Sequence, residues 1–219
     1  ILKEEKPEYL GVCFDVSRET FRQKKFAQYK INRPSMPDGL SSQIPIIKDI
    51  ISAYNIACFE KEGFEADDII ATLAKKAQNK GFDVVIVSSD KDILQLVNEH
   101  VVVFSPYKDQ GVLYDREKIK ERYGLEPHQV ADMLSLMGDS TDNIPGISGI
   151  GEKTALDLIR TFHSVKNLFD NINEVSSDKL RGSLKDNRDK AALNLELVAL
   201  RQDVEIEFDP EGLKIGQPD

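Results

Sequence analysis

Residues 65–92, EADDIIATLAKKAQNKGFDVVIVSSDKD, decide the fold class. Ala66 to Lys80 has the spacing of an amphipathic helix that stops at Gly81, and Asp83 to Ser89 follows as an apolar run of strand length. An acidic cluster stands at each end of this unit: Glu65-Ala66-Asp67-Asp68 enters the helix, and Asp90-Lys91-Asp92 follows the strand. A helix feeding directly into a buried strand is the repeating unit of a parallel α/β sheet. The alternation continues on both sides. Tyr9 to Asp15 reads as a buried strand ending in a carboxylate, Ile56 to Glu60 as a short strand, and Val101 to Phe104 as another. Gly111 to Leu113 is expected to form a hairpin with residues near Tyr107.

Between the first two strands, residues 18–30 read as a basic helix, broken off by Asn32-Arg33-Pro34-Ser35-Met36-Pro37. Asp38 then caps a helix running to about Tyr54, with Pro45 as a kink or boundary. Asp92 to Asn98 is a short helix. After Asp115 the pattern turns helical, with segments near 115–122, 127–137, 152–162, 165–170, 177–184 and 188–200. The tail from Val204 to Asp219 is acidic and closes with Gly and Pro, as the start of a linker would. Three regions follow: an α/β core over 1–115, a helical region over 116–203, and the tail over 204–219.

A chain of 219 residues is one large domain or two small ones, with enough length for a substantial core. Hydrophobic content of 40% and charged content of 31% are ordinary for a soluble globular protein. The net charge of −9 argues at first against a nucleic-acid partner. Its distribution reverses that argument: residues 18–33 hold Arg18, Arg22, Lys24, Lys25, Lys30 and Arg33 against Glu19 alone, six minus one, or +5. Cys13 and Cys58 are far apart in apolar runs and have no partners at zinc spacing, so they read as two buried thiols in a reducing compartment. Neither a signal peptide nor an apolar run of membrane-spanning length is present, which places the chain in the cytoplasm. The start without Met, in a charged helix-like stretch, suggests a piece of a longer protein.

Three acidic clusters carry the chemistry: Glu65/Asp67/Asp68, Asp90/Asp92 and Asp139/Asp142. Asp15 and Asp90 fall at the carboxyl ends of expected parallel strands, the edge where open α/β sheets place their ligands. Carboxylates gathered there repel one another, by roughly 3 kcal/mol per pair at about 5 Å and an effective dielectric near 20. Hard divalent cations with oxygen ligands, Mg²⁺ or Mn²⁺, relieve that repulsion and suggest phosphoryl chemistry. Each cluster also has a plainer reading. Glu65, Asp67 and Asp68 suit helix capping, Asp90 and Asp92 suit the next cap, and Asp139 and Asp142 suit a turn.

Two further signals accompany them. Gly146-Ile147-Ser148-Gly149-Ile150-Gly151-Glu152-Lys153-Thr154-Ala155 places glycines at a helix entrance, where free N–H groups and the helix dipole favour an anion. Flanked by helices, it forms a glycine hairpin able to grip a DNA backbone without reading bases. In the basic segment, Arg22, Phe26, Tyr29, Lys30 and Arg33 recur at helical spacing. Such a mixture of cations and rings holds single strands through phosphate contacts and stacking on Tyr29, or else is a solvated basic face with its aromatics docked on the core. His100, His128 and His163 are isolated and carry no catalytic signal.

Read together, these motifs resemble the 5′-nuclease domains of bacterial DNA polymerase I, in the flap-endonuclease superfamily. The resemblance rests on Phe14-Asp15, Thr20-Phe21-Arg22, Tyr29-Lys30, Arg33-Pro34, Glu65-Ala66-Asp67-Asp68, Ser89-Asp90-Lys91-Asp92, the run Leu136 to Gly146, and Gly149-Ile150-Gly151-Glu152-Lys153-Thr154-Ala155. It implies a PIN-like α/β core with a helical arch over about 16–55, followed by a helix–hairpin–helix subdomain that binds DNA. It implies one metal held by Asp15, Glu65, Asp67 and Asp68 and a second by Asp90, Asp92, Asp139 and Asp142, with Asp15, Asp67 and Asp90 central to catalysis. Lys30 and Arg22 would neutralise the scissile phosphate. Tyr29, Arg33, Gly149, Gly151, Lys153 and Thr154 would bind DNA, with K⁺ at the glycine turn. The implied activity is metal-dependent hydrolysis at 5′ ends, flaps and RNA primers, by a monomer carrying a polymerase large fragment in the same parent chain. The family's first central strand, with its aspartate, has no counterpart before Tyr9.

Overall fold

In a computed structural model of the chain, residues 6–16, 19–106 and 111–216 are described. The turn expected near Tyr107, Arg18 at the head of the basic segment, and the last three residues lie outside them. In chain order the first half contains strand β1 (Gly11–Cys13), helices α1 (Phe21–Lys25), α2 (Asp38–Ser41) and α3 (Gln43–Ala53), and strand β2 (Ala57–Phe59). Helix α4 (Ala66–Asn79), strand β3 (Val84–Val87), a 3₁₀ turn (Asp92–Leu96), and strands β4 (Val101–Ser105) and β5 (Val112–Tyr114) complete it.

The α4–β3 unit forms where the sequence places it. The Glu65 N–H donates to Asp68 Oδ2 at 3.2 Å, one arm of a capping box that satisfies an amide no helix can pair internally. Ile69, Ala71, Thr72 and Ala74 are buried, the inward stripe of a 3.6-residue period. β3 pairs in parallel with β4, Val84 opposite Val101, and β4 pairs antiparallel with β5, Val103 opposite Tyr114. β1 pairs in parallel with β2, Gly11 opposite Ala57. The expected mostly parallel sheet is therefore present in two pieces; among the described residues no ladder joins them, and α4 packs on β1 and on β3.

The second half is helical: α5 (Arg116–Tyr123), α6 (Val130–Met137), α7 (Glu152–Phe162), α8 (Val165–Asp170), α9 (Asp178–Asp186) and α10 (Arg188–Val198). Central α6 packs against α7 and α10, and Leu134, Leu136, Ile159, Leu168 and Leu184 are fully buried around it. Directly after α6 a two-residue ladder pairs β6 (Gly138–Asp139) with β7 (Ile144–Pro145). Gly138 has φ +79°, and a Cβ there would lie 2.3 Å from the Gly146 nitrogen; one on Gly146 would lie 2.2 Å from the Met137 carbonyl. Only paired glycines allow this crossing, which fixes the start of the Asp139–Asp142 turn.

Three expectations are corrected. The basic helix over 18–30 is only five residues long: Phe26 is extended, and residues 27–33 form turns in which Lys30 adopts φ +55°. Tertiary bonds to Asp142, described below, override helix propensity there. The break in the next helical stretch falls at Ser42, not at Pro45. Pro45 sits in the first turn of α3, where a missing N–H leaves no bond unmade. Cys58 is exposed and Cys13 only half-buried, because β1 and β2 are short and only partly covered. The tail packs on the first half over its described part. Val204 is buried, Lys76 Nζ reaches the Ile206 carbonyl, and Leu10 N–H donates to the Leu213 carbonyl at 2.8 Å beside a Tyr9–Lys214 bridge.

Candidate active site

The cleft begins with a buried ion pair. Arg22 is 1% exposed, and its two terminal nitrogens donate to both oxygens of Asp68, at 2.6 and 2.8 Å. Its remaining donors reach the Leu197 carbonyl at 2.7 Å, in the last turn of α10, and the Ala199 carbonyl at 3.0 Å, just past its end. Asp68, 0% exposed, also accepts the Arg201 N–H at 2.9 Å. A bidentate, charge-assisted pair with these extra bonds offsets its own desolvation; removing one partner would leave a buried charge, costing about 3–5 kcal/mol. Arg22 therefore faces Asp68, two carbonyls and, at 3.6 Å, Glu65, and is not turned toward a phosphate, and Asp68 has no free oxygen to give a metal. Both expectations are corrected by burial and pairing.

Glu65, one residue before α4, lies across from Asp142, in the turn after β6. Tyr29 joins them: its hydroxyl stands 3.0 Å from Glu65 Oε2 and 2.9 Å from Asp142 Oδ2. Lys30 Nζ is 2.8 Å from Glu65 Oε1 and 3.6 Å from Asp142 Oδ2, and Arg33 donates to Asp142 Oδ1 at 2.5 Å. The Tyr29 ring is 3% exposed, so it offers no face for a base to stack on, contrary to the sequence-based expectation. Burial first, then the charges of Glu65 and Asp142, push the Tyr29 phenol far up and hold it as a donor.

The other carboxylates border the same cleft. Asp15, exposed at the end of β1, accepts the Ala66 N–H at 2.8 Å and so caps α4 from another strand. Asp90 Oδ1 accepts the Asp92 N–H at 3.0 Å, and Asp139 Oδ1 accepts the Thr141 N–H at 2.7 Å. The capping and turn readings are thus true for these residues, alongside their common location. Asp67 is pushed up to about 7 by burial and then by Asp90, with Glu65 and Asp15 adding to it against Lys30. Asp92 is pushed up to about 8 by burial and by Asp90, Asp139 and Asp142. Its Oδ1 is buried with no hydrogen-bond partner. Burial would also raise Asp139, but Lys91, 3.1 Å from its Oδ2, and the backbone N–H groups hold it below the usual carboxylate range.

A cavity of about 10 Å³ opens among Lys30, Glu65, Asp67, Asp90, Asp92 and Asp142, room for about one water-sized occupant. Its donors are all oxygen and its charge is in excess, which suits a hard divalent cation. Among the described residues, however, no three carboxylates are gathered at ligand distance of one point, because Lys30, Arg33, Lys91 and Arg22 stand between them. A larger cleft, about 560 Å³, lies elsewhere and is lined by Gln78, Asn98, His100, Arg116 and His128, with none of these acids.

On the helical half, Gly149 has φ +81° with open space where a Cβ would point, and Gly151 is the N-cap of α7. Lys153 is exposed and Thr154 half-buried in its first turn. The cleft's acids and this turn come from different ends of the Asp139–Gly151 connection. Sequence reasoning missed Lys91 as a site residue. Its position between Asp90 and Asp92 was the available signal, since a cation there must face one acid or another.

Comparison with known proteins is consistent across the chain. Residues 1–124 match the 5'-3' exonuclease N-terminal resolvase-like domain, and residues 125–219 match the 5'-3' exonuclease C-terminal SAM fold. DNA polymerase I of Bacillus subtilis is 44% identical over 98% of this chain, which spans 24% of that protein. The 5'-3' exonuclease of Aquifex aeolicus is 42% identical over 100% of this chain and 74% of its own length. Among solved structures, the T5 D15 protein co-crystallised with metal ions aligns at a TM-score of 0.79 and 26% identity, over 90% of this chain and 77% of that one. The catalytic core of Rad2 in complex with DNA shares the fold, at a TM-score of 0.62 and 22% identity over 95% of this chain and 70% of its own. The chain belongs to the 5'-3' exonuclease family, with a resolvase-like N-terminal domain and a C-terminal SAM-fold domain.

Proposed function

We propose that this chain carries the cleavage centre of a divalent-metal-dependent 5′ nuclease acting on DNA flaps, nicks and RNA-primed 5′ ends. The observation that carries this reading is the gathering of Glu65, Asp67, Asp90, Asp92 and Asp142, from both halves of the chain, around one cavity, with Asp15 and Asp139 near enough to act on Asp67 and Asp92. The metals reported with the T5 D15 protein support it, as does the unpartnered Oδ1 of Asp92. Asp15, Glu65 and Asp67 would hold one Mg²⁺ or Mn²⁺, and Asp90, Asp92, Asp139 and Asp142 another. Bound there, such ions supply an acidified water and neutralise charge on the leaving oxygen. Lys30 and Arg33 supply positive charge to the scissile phosphate, where negative charge develops. Arg22 and Asp68 position: together they fix the entrance of α4 against the end of α10.

The helix–hairpin–helix turn holds the duplex. The free N–H groups at the start of α7, the open space beside Gly149 and the exposed Lys153 suit a backbone phosphate, and carbonyls of the same turn would take K⁺. The domain division follows the chemistry, with the arch over about 16–55 inside the α/β core and the helical region from 116.

Identity to DNA polymerase I over 98% of the chain supports a polymerase large fragment as partner in the parent protein. The match to a 5'-3' exonuclease over 100% of this chain and 74% of that protein supports the second reading, a stand-alone enzyme. The coding sequence beyond Asp219 separates them.

Cleavage of a labelled 5′-flap duplex with Mg²⁺ and with EDTA tests the central reading. Cutting is expected only with Mg²⁺, and EDTA-resistant cutting would overturn the metal assignment.

A further inference from the structure

The link between α1 and α2 is folded into the acidic cleft. Every oxygen of Glu65 and Asp142 is engaged by residues 29–33. Lys30 takes Glu65 Oε1, Tyr29 stands on Glu65 Oε2 and Asp142 Oδ2, and Arg33 takes Asp142 Oδ1. Further bonds join in: Lys30 N–H donates to the Asp142 carbonyl at 2.8 Å, the Asn143 side-chain amide donates to the Gln28 carbonyl at 2.7 Å, and Asn32 Nδ2 donates to Asn143 Oδ1 at 2.9 Å. Lys30 holds φ +55° to do so, a left-handed conformation costing about 1–2 kcal/mol for a residue with a Cβ. The seat on the acids must offset that strain.

The charge arithmetic is simple. Glu65 and Asp142 contribute two negative charges, and Lys30 and Arg33 two positive ones, one on each acid. A side-chain cation and a metal ion cannot fill the same carboxylate oxygens.

We propose that Lys30 and Arg33 are stand-in cations: Lys30 competes with one divalent ion for Glu65 and Arg33 with the other for Asp142, so that metal loading unseats residues 28–33 and frees both side chains. The inference rests on the metal reading above and adds a coupling to it. Release lets Lys30 leave its left-handed conformation, which returns part of the free energy of breaking the ion pairs. It also sends two cations toward substrate only when the metal needed for hydrolysis is in place. Tyr29 is the hinge side of the latch, because its buried ring anchors the segment while its hydroxyl shares the contested oxygens.

Hydrogen exchange of residues 28–33, followed with EDTA and with Mn²⁺, tests this beside Mn²⁺ binding read by electron paramagnetic resonance. In the unsubstituted protein, saturating Mn²⁺ should speed exchange of the Lys30 amide by about tenfold or more, the mark of local opening. In Lys30→Met/Arg33→Met the segment should exchange fast without metal, and Mn²⁺ should bind at least about fivefold tighter, because two competing charges are gone. Binding of Mn²⁺ with unchanged or slower exchange at 28–33 would overturn the latch and leave the metal reading standing. No binding of Mn²⁺ by either protein would overturn both. Arg33→Lys, which keeps the charge, should restore slow exchange in EDTA; failure to do so in a folded protein would also count against charge competition.

Discussion

Two candidate phosphate-binding elements in this chain differ in how the fold presents them. Residues 28–33 present Lys30 and Arg33 to internal carboxylates, with Tyr29 buried between them. Residues 149–154 present Gly149, Gly151 and Lys153 to solvent at the mouth of an eleven-residue helix. The first element is held by internal charge and is available to a ligand only by exchange. The second is available as it stands. Chemistry should therefore depend on the first and grip on the second, and the two should fail differently when altered.

The sharpest separation comes from the acids. Asp92→Asn should lower flap cleavage by about 10³-fold or more while duplex affinity stays within about threefold, because the side chain's shape is kept and only its charge is lost. Parallel losses of affinity and turnover, measured by single-turnover cleavage and fluorescence anisotropy, would join the two regions into one function. Next, Gly138→Ala should destabilise the fold by more than about 3 kcal/mol, since its Cβ meets backbone at a positive φ. Urea unfolding gives the value, and a loss below about 1 kcal/mol would mean that the Asp139 turn is not held by the glycine crossing.

The pH response tests the crowded charge directly. Asp67 and Asp92 titrate near 7 and 8 in the fold, above their unfolded values, so the native state binds more protons between about pH 4 and 8. Their contribution to stability is full below about pH 4 and is lost as pH rises toward 8. In EDTA, the melting temperature of Asp92→Asn minus that of the parent should therefore grow across that range, and a flat difference would remove the shift. At the other region, Lys153→Ala should weaken duplex binding by about three- to tenfold at low salt and reduce the salt slope by about one, with turnover of bound substrate unchanged. A smaller effect serves as baseline: Lys166→Ala breaks only the exposed i,i+4 pair with Asp170 and should change stability by less than about 0.5 kcal/mol.

Local patterns were legible wherever one element decides its own form. Ala66–Asn79 and Val84–Val87 lie within a few residues of their reading, because a capping acid, an apolar stripe and a stopping glycine are all local. Asp15 and Asp90 were placed at strand ends for the same reason. What the sequence concealed were choices between partners far apart. Arg22 reads as a phosphate contact until Asp68 and the end of α10 surround it. Tyr29 reads as a stacking ring until Glu65 and Asp142 claim its hydroxyl. The packing of the tail is hidden because its return to Tyr9 and Leu10 uses backbone groups, which leave no side-chain signature.

The Arg22 pair also bears on how the protein is made. Arg22 and Asp68 leave the ribosome early, but the carbonyl of Leu197 stands 175 residues after Arg22. At about 5–20 residues per second, that partner arrives roughly 9–35 s later. Through that interval the nascent first half holds a guanidinium whose burial site is incomplete, so the last helix should be what commits the chain to its native state.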